Sequence, residues 1–167
     1  MTVSIKRINP AYALTTEFLL TQQRIINSHP DFNYVLSGQA SLSLIDIKNE
    51  TQDVIAMGGQ YFMIRLGDVC VGIGHWLASN PYDKHPWIGL LVIEQHVTGK
   101  GIGRYAVQEV INYLADQNEQ AVRLFVQVNN SQGFSFWTQN GFHPIDITAD
   151  EYGRDAYTLE LTAQVNT

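Results

Sequence analysis

Apolar and polar residues alternate through VSIKRIN (3–9) with β-branched residues in the apolar places, so the chain opens on a strand, which Pro10 stops. From 11 to 27, Leu14, Phe18, Leu19, Ile25 and Ile26 recur near helical spacing and predict one helix. The stretch 29–39 is rich in turn formers. A second short helix over 40–50 competes with the β-branched residues it contains. YFMIRL (61–66), a Gly-Asp turn at 67–68 and VCVGIGHWLA (69–78) read as a hairpin, and NPYDKHP (80–86) as a loop before a buried strand, 87–95. Ile102, Ala106, Val110, Ile111 and Leu114 form one stripe of a helix over 102–117. A strand at 121–128, a helix at 131–140 closed by Gly141, and strands at 142–145 and 156–164 complete the pattern. No repeat or linker interrupts it, so residues 1–167 read as one α/β domain.

Composition narrows the function classes. A net charge of −6 with ten scattered Lys and Arg offers no basic stripe for nucleic acid. Nothing approaches the roughly 18 continuous apolar residues of a membrane span. The N-terminus lacks the apolar segment of a secretory signal, so the cytoplasm is the expected location. Cys70, the lone cysteine, sits in an apolar run and reads as a small buried hydrophobe. No His, Cys and carboxylate spacing suggests a metal site.

The segment VTGKGIGR (97–104) carries the most specific chemistry. Its Gly-Lys is not followed by Ser or Thr, so it is not a Walker loop. Arg104 stands where the dinucleotide fingerprint needs a glycine. What remains is strand, Gly-x-Gly-x-Gly, helix. Backbone N–H groups of Gly99 to Arg104 at a helix start can hold an anion, with Lys100 and Arg104 adding charge. A glycine-rich turn that binds nothing has the same pattern.

Downstream, NSQGFSFWTQNGF (130–142) places an Asn, a short helix with paired aromatics and a Gly-Phe in succession. Together with LVIEQHVTGKGIGR this resembles the GNAT superfamily of acetyl-CoA-dependent N-acetyltransferases, and the order of strands and helices matches along nearly the whole chain. The resemblance implies an α/β fold whose twisted, mostly antiparallel sheet of about seven strands carries helices on both faces. It also implies that Leu91, Val92 and Ile93 pair with the pantetheine arm of acetyl-CoA as an added strand would. Thr98, Gly99, Lys100, Gly101, Ile102, Gly103 and Arg104 would cradle the pyrophosphate. Asn130 and Gly133 would meet the cofactor arm, and Phe136 and Trp137 would wall it. Asn130 is equally a helix cap. The N–H of Val92 or Ile93 is the expected oxyanion donor.

Departures from the family pattern fall on one side-chain contact of the phosphate loop and on the proton-transfer positions. Thr98 replaces a Gln or Arg, and Trp137 replaces a Tyr that protonates the thiolate. Trp87 and Phe125 stand where members hold a Glu base. An indole N–H is no proton source at neutral pH. The candidates left are His85, with Asp83 to orient it, although both also read as an ordinary loop pair. His75 points into either cleft or core, His96 and His143 have no argument behind them, and Ser135 and Thr138 are poor acids.

The acceptor implied is an amine, of a small molecule or a protein. Its selectivity would come from 27–50 and 80–86, where Phe32, Tyr34 and Tyr82 can line a pocket and meet an ammonium. An acyl-CoA-binding module without efficient chemistry, and a nucleotide-binding domain unrelated to CoA, remain as other readings. Exposed strand edges leave a homodimer open.

Overall fold

The computed structural model describes residues 2–117, 121–150 and 153–162. Strand β1 (Val3–Ile8) is followed by four helices, α1 (Pro10–Ala13), α2 (Thr16–Ile26), α3 (Pro30–Ser37) and α4 (Leu44–Ala56). Strands β2 (Gln60–Leu66), β3 (Val69–Leu77) and β4 (Trp87–Ile93) come next. Then follow α5 (Ile102–Gln117), β5 (Val122–Gln127), α6 (Ser131–Gln139), β6 (His143–Ala149) and β7 (Asp155–Leu161). The sheet order is β1-β2-β3-β4-β5-β7-β6, antiparallel throughout except for the parallel β4–β5 pair.

Three sequence expectations between β1 and β2 need correction, and local capping explains each. The single helix over 11–27 is two: the Asn9 side chain accepts from Ala11 and Tyr12 N–H to start α1, and Thr15 accepts from Phe18 N–H to start α2. The turn-rich 29–39 stretch folds as α3, because Pro30 suits a first helical position and Gly38, at φ 75°, closes the last turn. The short helix over 40–50 runs on to Ala56, where a Ser43–Asp46 capping box outweighs the β-branched Ile45 and Ile47. The strand expected over 87–95 stops at Ile93, and Gln95–Val97 forms a 3-10 turn. The remaining elements follow the sequence pattern within a few residues; the end of the 156–164 strand lies partly outside the described residues.

Two cores flank the sheet. On one face Phe62, Ile64, Trp76, Leu124 and Val126 pack with Ala106, Val107, Val110 and Leu114 of α5. On the other, Phe18, Leu19 and Ile25 of α2 and Ile47 of α4 pack on Tyr61, Ile73 and Val92. That second cover stops at β4. Beyond it Phe125, Ile145 and Ile147 are 53%, 43% and 56% exposed, and β6 is exposed along its length.

Candidate active site

Between the two parallel strands the sheet opens. β4 and β5 pair only at Trp87↔Arg123, supported by Arg123 N–H donating to the Pro86 carbonyl at 2.9 Å. From there they part towards their C-terminal ends. A bulge contributes: the β3–β4 register passes from Trp76↔Ile88 to His75↔Leu90, leaving Gly89 as the extra residue and bending β4. Glu94 N–H donates to Val71 on β3, so by alternation the N–H groups of Val92 and Leu90 face β3. Those of Leu91 and Ile93 face the opening. Of the two residues expected to supply the oxyanion donor, Ile93 turns its N–H to the opening and Val92 turns its own to β3, while Leu91 N–H also faces the opening. The Ile93 carbonyl is engaged by Nε2 of His29, from the α2–α3 turn, a contact that nothing in the sequence signalled.

The glycine loop sits at the mouth of that opening. Gly99 and Gly101 lie at φ 78° and 81°, a region costly for residues with a Cβ. The first hydrogen bond of α5 runs from Tyr105 N–H to Gly101, and the N–H groups of Gly99 through Arg104 have no partner among the described residues. Lys100 and Arg104 are exposed and make no ion pair there. Thr98 turns its hydroxyl back to the Gln95 carbonyl at 2.7 Å, so its side chain shapes the loop. Gly103 serves packing: an added Cβ would meet the Phe136 ring at 3.2 Å and Ile93 at 3.7 Å. Strand β4, the loop and α6 therefore converge at Ile93, Gly103 and Phe136. Asn130 caps α6 by accepting from Gly133 N–H at 2.9 Å, and its amide leaves no room for a Cβ at Gly133. Phe136 and Trp137 are edge-to-face at 5.1 Å and half buried.

Residues 24–142 match the acetyltransferase (GNAT) family. The chain belongs to the GNAT family. Its fold resembles an acetyltransferase of Thermus thermophilus (TM-score 0.77, 19% identity, 96% of each chain covered). PaiA N-acetyltransferase of Thermoplasma acidophilum, solved in complex with coenzyme A, superposes with TM-score 0.65 at 16% identity over 98% of this chain and all (100%) of that one. A curated relative, mycothiol acetyltransferase of Jonesia denitrificans, is 24% identical over 71 residues, 42% of this chain. That match spans 23% of the relative's length.

Asp83 and His85, the candidates that the sequence put forward for proton transfer, lie with Trp87 at the closed end of the opening. His85 Nδ1 is 3.0 Å from the Ala121 carbonyl, and its backbone N–H donates to Asp83 Oδ1. Asp83 also accepts from the Trp87 indole at 2.9 Å and from Arg123 at 3.2 Å, while Arg123 Nε donates to Glu160 at 2.8 Å. Burial pushes the Asp83 carboxyl up, but the bonds from His85, Trp87 and Arg123 outweigh it and hold it below its ordinary value. With both oxygens engaged by these donors, the carboxylate fastens the 80–86 loop to β5 and β7. The geometry thus gives Asp83 and His85 a structural task at the end of β4 remote from the loop.

A linkage prediction follows. A depressed folded pKa stabilises above the unfolded value of about 3.9 and ceases to do so as pH falls through the folded value. Urea unfolding of Asp83→Asn against the wild type should therefore show a deficit on the order of 1 kcal/mol at pH 7 that shrinks in acid. A deficit constant across pH would show that the charge contributes nothing.

On the open face beside Trp87 lies a shallow concavity of about 350 Å³, walled by Trp87, Phe125 and Ile145, with Asp146 and the paired Asp83 and Arg123 at its rim. Trp87 and Phe125 are in ring contact at 4.6 Å. Tyr82 reaches the same hollow at 90% exposure; Tyr34 stands exposed on α3, and Phe32 packs edge-on against His29. Thr138 donates its hydroxyl to the Phe134 carbonyl, Ser135 is exposed helix surface, and His96 lies 3.9 Å from Glu94. No group of metal-binding side chains occurs among the described residues, and no described helix is long and apolar enough to cross a membrane.

Proposed function

We propose that this chain transfers the acetyl group of acetyl-CoA directly to a primary amine of a small molecule, peptide or protein. One observation carries the reading: the β4–β5 opening leads to a loop whose N–H groups from Gly99 to Arg104 are unpaired among the described residues and flanked by two free cations. A diphosphate fits this cradle, since it offers several acceptors to a helix start whose dipole favours negative charge. Lys100 and Arg104 add charge-assisted contacts. Leu91 and Ile93 present unpaired N–H groups to a pantetheine arm laid between the strands, and Phe136 and Trp137 close its apolar side.

Acetyl-CoA supplies a thioester already activated for acyl transfer. The residues hold that carbonyl against the Leu91 and Ile93 N–H groups, which favour the negative charge that grows on its oxygen. The amine enters from the face of Trp87, Phe125 and Asp146, where an acidic rim attracts an ammonium and aromatic walls receive its apolar part. Holding both partners in register lowers the entropic part of the barrier, which is worth up to about 7–11 kcal/mol in well-oriented systems.

The aromatic residues at 87, 125 and 137 favour a second reading, a module that binds CoA without turnover. Calorimetry with acetyl-CoA, together with thiol-reagent detection of released CoA across phenethylamine, spermidine and an alanine-initiated peptide, decides between them. The expected result is micromolar-range binding with turnover of at least one amine. Binding without turnover supports the module, and absence of binding removes both readings.

A further inference from the structure

The open face has a continuous row of side chains across the strands. Register places Tyr61 opposite His75, His75 beside the Gly89 bulge, and Phe125 opposite Thr158, itself opposite Asp146. Continuing two residues along from the Trp87↔Arg123 pair sets Gly89 across the opening from Phe125. The cover of α2 and α4 ends here, and Gly89 is exposed. Over Gly89 lies the His75 imidazole: a Cβ built on Gly89 would collide with its Cε1 and lie 2.5 Å from its Nδ1. A side chain that β4 itself would present to the opening is thus missing, and a side chain from β3 occupies its place.

The ring is 8% exposed, stacks at a tilt on Tyr61 with centroids 5.0 Å apart, and makes no hydrogen bond among the described residues. Neither ring nitrogen is fully shut off from solvent, so the imidazole at the edge of the opening, without a protein partner among the described residues, can exchange protons there. Around it, β2 contributes Tyr61, whose hydroxyl is pushed up to about 12 by burial and stays neutral. β4 contributes Gly89 and Leu90, without charge. From the helices, Tyr12 of α1 reaches Tyr61 through Phe18, and Glu50 of α4 acts on Tyr61. Asp146, Asp83 and Arg123 stand further along the open face.

We propose that the His75 imidazole, reaching the opening through the space at Gly89, is the base that takes the proton of the attacking amine. This rests on the acetyl transfer proposed above. The acceptor arrives as an ammonium and gives up one proton to water; the lone pair so freed forms the C–N bond, and the nitrogen becomes acidic as that bond forms. His75 accepts its proton, the C–S bond breaks, CoA leaves as thiolate, and the imidazolium gives its proton to water. Burial lowers the ring to about 4, which keeps it neutral and ready to accept throughout the working range. A base that weak accepts only once the C–N bond has made the nitrogen acidic, which places its contribution at the lower end of the roughly 10²–10⁴-fold range of general-base catalysis. The role that members of the family give to a β4 carboxylate passes here to a β3 histidine, with Trp87 and Phe125 left to bind.

The test uses the full chain, acetyl-CoA and whichever of phenethylamine, spermidine and the alanine-initiated peptide turns over fastest. His75→Gln should lower kcat about 10²-fold with KM for acetyl-CoA and calorimetric CoA affinity unchanged. His75→Ala opens a hole beside Gly89, and added imidazole should restore turnover in proportion to its concentration, a response no packing role produces. Gly89→Ala, whose Cβ displaces the ring, should share the kcat loss. Near-normal kcat in His75→Gln, or a His75→Ala that binds CoA but is not rescued, overturns the proposal and leaves the acetyltransferase reading intact. A wild type that turns over none of the three amines removes that reading first, and the base with it.

Discussion

Gly101→Val should reduce CoA affinity by about 100-fold or more while the chain stays folded. Gly101 is exposed at φ 81°, and a Cβ there meets no atom within 4 Å. The effect is therefore conformational. A β-branched residue in this region costs on the order of 1–2 kcal/mol, so the backbone rotates out of it. The N–H groups of Gly101, Ile102 and Gly103 then swing away from a common point, and hydrogen bonds to a charged acceptor are worth about 1.5–3 kcal/mol each. Loss of one such bond, added to strain, reaches the stated factor. Folding loses little, because the loop lies outside both cores and Ile102, the buried residue beside it, keeps its contacts. Gly101→Asn supplies the control: Asn tolerates positive φ, so it should retain most of the affinity. Calorimetry with CoA and a thermal melt check both. A Gly101→Val protein that binds CoA normally would show that these N–H groups hold no phosphate.

The second large effect concerns acid stability. Burial lowers His75 from 6.5 to about 4 in the folded chain, so between these values the unfolded chain binds the proton more strongly. Stability is then complete above about pH 6.5 and falls as pH drops towards 4, the opposite direction from a histidine with an acidic partner. At pH 5 the loss is about 2 kcal/mol, a large share of a typical domain's 5–15. Tyr61, pushed up to about 12, does not titrate in this window, and Asp83 enters only below about pH 4. Urea unfolding at pH 7.5 and pH 5 should show this decline in the wild type and a smaller one in His75→Gln. Equal declines in both would place His75 in contact with water or with a compensating charge.

Much of this fold could be read from residue order. Period-two alternation located β1, two apolar runs about a Gly-Asp turn located the β2–β3 hairpin, and an apolar stripe at helical spacing located α5. The failures cluster between β1 and β2. There Thr15, Pro30 with Gly38, and the Ser43–Asp46 box set the helix ends, and capping by single side chains leaves a weaker trace than periodicity. The capping box was visible as Ser-x-x-Asp before an apolar run. The glycine loop was legible because glycine is the residue that positive φ demands. The proton acceptor proposed above was not. Asp83 and His85 are near Trp87 in sequence, yet they lie at the closed end of the β4–β5 opening, fastened to Arg123 and to the Ala121 carbonyl. His75, 14 residues before Gly89, reads in sequence as a lone histidine of an apolar strand that points into either cleft or core.

By itself, then, the sequence determined the family, the order of the elements from β2 onward and the loop that suits a diphosphate. These depend on local dihedral freedom and on which residues are apolar. Tertiary structure alone decided where β4 and β5 part, which backbone N–H groups face the opening, and which side chain fills the space at Gly89. Each depends on register between strands, and a bulge of one residue reverses which face a side chain takes.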